Sequence, residues 1–268
     1  MRKVFVIICL LFLILVQNSF SDSVIAAEEK ENKNIIELVT DDAYIMRANL
    51  KYPQKKKKKY PLVVLLHSYG LSSADWRELP NTLTNNGFAV LEIDFKGHGK
   101  SIYLTNMQQR SYIYLSKNSL KQFPQDVYKL LSQTYSTYSN LSATEIIFVG
   151  ADVGASTAIY VAEALQHKPI AMVLISPQVN FKGLYTPIAL AESGDYPILG
   201  IVTQKDIASQ NEMKSLQKYI QGSFSLLKLP DGGPGMTSLA VNDKGIQAVT
   251  NWLVKQTPSL NSEDIAKN

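Results

Sequence analysis

The sequence predicts a single α/β domain with a mostly parallel central sheet of about eight strands, helices on both faces and no large cap domain. Three observations carry that expectation. After Asn34, short apolar runs alternate with helical stretches, the pattern of a layered α/β domain. The runs themselves, such as Leu62–Leu66 and Ile170–Ile175, are continuously apolar, as strands buried on both faces must be. And 268 residues, 46% hydrophobic and only 19% charged, suffice for one large core and argue against a disordered or fibrous chain.

Two early strands are expected near 35–40 and 43–52, joined by a tight turn at Asp41-Asp42. A Lys-rich connection then leads to the core strand 62–66, a helix at 74–86 that carries Trp76, and a strand at 88–94. An irregular segment follows. Its residues 102–122, with Tyr103, Tyr112 and Tyr114, are placed to overhang a pocket, and a helix opens near Pro124 because proline is tolerated in the first turn. The remaining units are strand 145–149 with helix 153–167, strand 170–175, strand 198–203 with helix 210–220, and strand 223–229 with helix 243–255. The domain so defined spans 28–258. The polar residues 259–268 read as a frayed tail.

The amino terminus has a different logic. Met1-Arg2-Lys3 precedes an unbroken apolar run from Val4 to Val16, the n-region and h-region of a signal peptide. The run is short of the ~20 residues that a spanning helix needs, although a retained anchor stays open. Small residues suit cleavage after Ser21 or Ala27, so residues 1–27 are expected to be removed on export, to the periplasm or the medium. The one cysteine, Cys9, leaves with them, which excludes disulfides, thiolate nucleophiles and cysteine-ligated metals from the mature chain. The formal charge of +4 owes much to one run, Lys55–Lys59, without which the mature body would be mildly acidic. That run is expected to be a solvated hairpin tip, or else a contact for an anionic lipid or cell-wall polymer; a nucleic-acid surface is not indicated.

Five segments carry the candidate chemistry: His67-Ser68-Tyr69-Gly70 after a strand; the turn Asp94-Phe95-Lys96-Gly97-His98-Gly99-Lys100-Ser101; Gly150-Ala151-Asp152-Val153-Gly154 between strand and helix; Asp206 after strand 198–203; and Asp231-Gly232-Gly233-Pro234-Gly235-Met236 after the last long strand. In this order they resemble the α/β-hydrolase superfamily, in particular its lidless dienelactone hydrolase-like and serine esterase members. The resemblance implies a nucleophile elbow at Asp152, where the family carries Gly-x-Ser-x-Gly, and a triad acid at Asp206. It implies oxyanion-hole N–H donors at Tyr69 and Val153, and a base histidine where this chain has Pro234. Asp206 has a plainer alternative as a helix cap.

The triad is therefore broken twice. All three histidines, His67, His98 and His167, precede Asp206 in a fold whose base follows the acid. Strand-end packing, turn hydrogen bonding and a helix C-terminus account for them, with recruitment of His98 as an improvised base the runner-up. Haloalkane dehalogenases and epoxide hydrolases of the superfamily do attack with an aspartate, but a histidine then activates water, help worth roughly 10²–10⁴-fold. Neither Trp76 nor Trp252 stands where a halide would be held, and the span between Ile175 and Ile198 is too short for a cap domain. The expectation is that the Asp152 carboxylate fills the oxyanion hole, accepting from Tyr69 and Val153, in a pseudoenzyme that binds a small molecule, lipid or protein partner. The alternative is a hydrolase of ester or related bonds using Asp152 and a non-standard base. No sequence feature calls for a metal, nucleotide or flavin cofactor, and the oligomeric state is left open.

Overall fold

The computed structural model describes residues 34–230, 232–240 and 242–265. The expected signal segment 1–27 and Asp231 lie outside them. In chain order the strands are β1 (Ile35–Val39), β2 (Ile45–Lys51), β3 (Tyr60–Leu66), β4 (Ala89–Asp94), β5 (Leu141–Ala151), β6 (Ala171–Ile175), β7 (Asn180–Phe181), β8 (Leu184–Tyr185), β9 (Ile198–Thr203) and β10 (Phe224–Leu229). The short β7 and β8 form a separate hairpin. The other eight form one sheet in the order β1-β2-β4-β3-β5-β6-β9-β10, antiparallel between β2 and β4 and parallel from β4 to β10.

Strand β3 shows how the sequence builds two cores. All seven of its residues are buried, and successive side chains point to opposite faces. Leu62, Val64 and Leu66 join one cluster with Val127, Leu130, Ile159, Met213 and Leu216, while Val63 and Leu65 join a second with Leu79, Leu83, Val249 and Leu253. The helices Phe123–Thr137, Val153–Ala164 and Ile207–Leu216 thus cover one face, and Leu79–Asn85 and Asp243–Gln256 the other.

Three local expectations need correction. The helix expected at 74–86 is broken into a short 3₁₀ turn, Ser73–Trp76, and the helix Leu79–Asn85, which has Pro80 in its first turn. Lys55–Lys59 is not a hairpin tip, because β4 lies between β2 and β3 in the sheet; the run is a connection that passes from one side of β4 to the other. Lys59 there donates to the Ser139 and Leu141 carbonyls at the start of β5. The segment after Pro258 is not frayed throughout, since it forms the helix Pro258–Ile265. The Ser259 N–H donates to the Glu145 carboxylate, and Leu260 is buried in the second core.

The turn after β4 is built around two charges. Asp94 accepts from the backbone N–H groups of Ser73 and Lys100, at 2.6 and 2.8 Å, and so closes the turn on itself. Lys96 is fully buried, with Nζ 2.9 Å from both Asp42 and Asp126 and 3.0 Å from Gln122 Oε1.

Candidate active site at the nucleophile elbow

Strand β5 ends at Ala151 and the helix Val153–Ala164 begins two residues later, so the chain reverses at Asp152 alone, which takes φ +54°. With ψ at −115° this positive-φ backbone lies outside the αL region and is costly for any side chain, the mark of a strained turn. The flanking glycines make the reversal possible. A Cβ on Gly150 would lie 2.4 Å from the Gly154 carbonyl oxygen, and one on Gly154 would lie 2.0 Å from that of Leu66. The helix therefore packs directly on the ends of β3 and β5, with the Val153 N–H of its first turn turned to the Asp152 carboxylate.

The carboxylate is held from two sides. Tyr69 N–H donates to Oδ2 at 3.1 Å, and Gln178 Nε2 donates to Oδ1 at 2.6 Å. Burial pushes the carboxyl above its ordinary range, against the opposing pull of the Tyr69 and Val153 N–H groups, Gln178 and the Lys182 ammonium. A helix N-terminus favours such an anion by roughly 0.3–1 kcal/mol, so desolvation is opposed but not overcome. Beside the carboxylate lies a cavity of about 300 Å³, lined among others by Ser68, Leu71, Ser176, Ser209 and Pro234. Ser176 sits at φ +44° with its buried Oγ unpartnered among the described residues.

None of the three histidines lines this cavity. His67 is fully buried and bridges two strand ends: its Nε2 accepts from Phe95 N–H at 3.0 Å, so the proton is on Nδ1, 2.8 Å from the Ser68 carbonyl. Burial pushes its pKa down. His98 stacks on Tyr112 at 4.7 Å and meets the edge of Tyr69 at 5.3 Å, and burial together with His67 pushes its pKa down to about 3. Tyr69 touches both residues, its ring on His98 and its N–H on the Asp152 carboxylate. His167 is exposed in the loop before β6, at the opposite edge of the sheet from the elbow.

The two remaining triad positions supply no acid–base pair to the elbow. Asp206 caps the helix Ile207–Leu216, accepting from Ser209 N–H at 3.0 Å and Ser209 Oγ at 2.5 Å, which is the plainer of its two expected roles. Pro234 lines the cavity, on a loop tied to the β3 end where Met236 N–H donates to Ser68 Oγ. Of the tyrosines expected to overhang the pocket, Tyr112 packs against Tyr69, whereas Tyr103 bridges to Gln109 and Tyr114 is exposed.

A family model described as serine aminopeptidase, S33, matches residues 57–218, more than half of the chain and inclusive of β3, the elbow and Asp206. The chain belongs to this α/β-hydrolase family. No curated protein sequence matches it significantly. Among solved structures it is similar to a dienelactone hydrolase from Anabaena variabilis, with a TM-score of 0.60, 17% identity and coverage of 83% of this chain and 97% of that one. The esterase Est1E of Butyrivibrio proteoclasticus, with ferulic acid bound, gives a TM-score of 0.60 at 17% identity over 81% and 96%. DcsB in complex with a substrate analogue gives 0.65 at 13% identity over 83% and 99%. Likenesses at these identities concern the fold.

Two residues of this S33 family member, Gln178 and Lys182, join the site without belonging to any motif in the sequence. Both stand between β6 and β9, beside the elbow strand. Their position just past the carboxyl end of β6 is the signal that finds them, since open α/β sheets bind ligands at that edge.

Proposed function

We propose that this S33 family member is an exported ligand-binding protein that has lost hydrolytic turnover. The observation that carries the reading is the Asp152 carboxylate hydrogen-bonded to Tyr69 N–H, the donor that would otherwise polarise a substrate carbonyl. An oxyanion donor already satisfied by the protein's own carboxylate has nothing left to give to a developing oxyanion. Gln178 locks the other carboxylate oxygen, and His98, made a weak base by burial and absent from the cavity lining, is poorly suited to take a proton from water beside Asp152.

Binding remains chemically open. The cavity beside Asp152 offers the unpartnered Ser176 hydroxyl together with Leu71 and Tyr69 surfaces, a mixture suited to a small molecule or a lipid carrying a hydrogen-bonding group. Export rests on residues 1–27.

A second reading, an ester hydrolase working through Asp152, is favoured by the retained positive-φ elbow, which displays the side chain as a nucleophile would be displayed. Turnover separates the two. The protein is incubated with chromogenic esters of short and medium chain length and screened in parallel for thermal stabilisation by small molecules and lipids. Ligands that raise the melting temperature without product formation support binding; product formation that disappears in Asp152→Asn establishes the hydrolase.

A further inference from the structure

We infer that the β7–β8 hairpin and the helix Lys117–Lys121 together form a binding site for an oxyanion, of the phosphate type, beside Tyr69 of the elbow cavity. The inference deepens the binding reading and rests on it for the cavity's role as a ligand site. Lys117, Lys121 and Lys182 line one depression of about 470 Å³ together with Asn180 and Gly183. The three ammonium groups come from two separate elements that face each other, and among the described residues none of them has a carboxylate within ion-pairing distance. Cations gathered without an ion-paired carboxylate repel one another, and an anion between them removes that repulsion.

The hairpin is built to hold Lys182 in place. Phe181 pairs with Leu184, so Lys182 and Gly183 form a two-residue turn, and both take positive φ, +46° and +103°. Such turns favour asparagine or glycine at the first central position, because a Cβ is strained there. A lysine in that position is a local cost that the sequence retains at the rim of a site. Gly183 has a separate reason: a Cβ on it would lie 2.6 Å from Lys121 Cε, so its bareness lets the Lys121 stem cross the turn. Asn180 Oδ1 accepts from Gly183 N–H at 2.8 Å and locks the loop, leaving its Nδ2 as a further donor. Below, Phe181 and Leu184 are buried in the core and Tyr160 donates to the Tyr185 carbonyl, so the hairpin is anchored at both strands.

Lys182 links the site to the elbow through Tyr69. Lys182 Nζ lies 3.9 Å from the centre of the Tyr69 ring, and Tyr69 is the residue whose N–H holds Asp152. A ligand with an oxyanion at the lysines and a less polar remainder would extend past Tyr69 toward Asp152. The same chemistry is offered by a free phosphorylated molecule and by a phospholipid headgroup.

The test titrates the protein with inorganic pyrophosphate, and separately with phosphatidylglycerol and phosphatidylcholine vesicles, at constant ionic strength set with KCl. The expected result is saturable binding of pyrophosphate or of phosphatidylglycerol vesicles, weakened at least tenfold in Lys121→Gln with Lys182→Gln. Lys56→Gln with Lys58→Gln, an equal charge loss on the other basic run, leaves it unchanged. Binding to pyrophosphate alone identifies a free ligand as the source, and binding to the anionic vesicles alone a headgroup. The inference is overturned if neither binds, if both charge-matched variants lose affinity equally, or if the Lys121/Lys182 variant binds as the parent does. Failure of the elbow reading registers separately, as ester turnover by the parent protein that Asp152→Asn abolishes, whereas failure at the lysines is read from anion binding alone.

Discussion

Replacing Lys96 by methionine tests whether the turn after β4 is held by a buried charge cluster. Its Nζ is shared between Asp42 and Asp126 at 2.9 Å each, in a site where the Lys96 side chain is wholly buried and that of Asp126 only 3% exposed. Methionine fills most of the volume but leaves two carboxylates without their cation. Removing one partner of a buried ion pair costs about 3–5 kcal/mol, because the remaining charge is desolvated and uncompensated. For a domain of this size each kcal/mol moves the melting temperature by about 2–4 °C, so Lys96→Met lowers it by roughly 6–20 °C at pH 7. The pH dependence follows from the two carboxyls. Burial raises the Asp42 carboxyl, but Lys96 and Thr40 together outweigh it and hold the group below its ordinary range, so its contribution is present at neutral pH and lost on acidification. Burial holds Asp126 above its ordinary range even with Lys96 present, and losing the cation raises both groups from where Lys96 holds them. A carboxyl with a raised folded pKa is stabilising only while protonated, so the deficit of the variant narrows as the pH falls through the carboxylate range. Thermal unfolding by calorimetry between pH 4 and pH 8 measures it. A loss below about 1 kcal/mol, the level of an exposed pair, or no recovery when Asp126→Asn is added, would refute the reasoning.

Other consequences concern the elbow. Asp152→Asn keeps an acceptor for Tyr69 N–H and removes a carboxyl whose folded pKa lies above the ordinary 3.8; its melting temperature exceeds that of the parent by a margin that grows from pH 4 to pH 8, and a margin that shrinks would contradict the burial argument. Gln178→Ala removes a bond to a charged group and costs about 1.5–3 kcal/mol at pH 7 by chemical denaturation; a neutral effect would mean that Gln178 does not hold the carboxylate. Asp152→Ser alone restores no ester hydrolysis, because no histidine lines the cavity, whereas activity in that single variant would show that a base was overlooked.

The sheet and the elbow are legible in the sequence because each follows from local pattern. Val63 and Leu65 must lie opposite Leu62, Val64 and Leu66 once the run is a strand, and Gly150 and Gly154 mark a strand-to-helix reversal in which no Cβ fits. The placement of Tyr69 N–H against Asp152 follows from the resemblance of the His67–Gly70 segment, since a backbone N–H survives any change of side chain. What is not legible depends on order in space. Nothing near Lys55 reveals that β4 will insert between β2 and β3, so a connection reads as a hairpin. The helix Pro258–Ile265 is polar in composition and is fixed by the buried Leu260 and a contact with Glu145, more than a hundred residues away in the chain. Asp206 is compatible from sequence with either a triad or a cap, and only the position of Ser209 decides. Gln178 and Lys182 lie in a stretch without a motif, and their roles come from the hairpin that folds back beside the elbow.

Covalent capture addresses the central claim, that Asp152 is a hydrogen-bonded plug and not a nucleophile. The protein and its Asp152→Asn variant are incubated with short-chain epoxides and haloalkanes, which a carboxylate nucleophile converts to an alkyl ester that no histidine beside it can help to hydrolyse, and each is weighed by intact-protein mass spectrometry. Both proteins are expected to keep the unmodified mass. A stoichiometric adduct on the parent protein, mapped to Asp152 and absent from the variant, would contradict it.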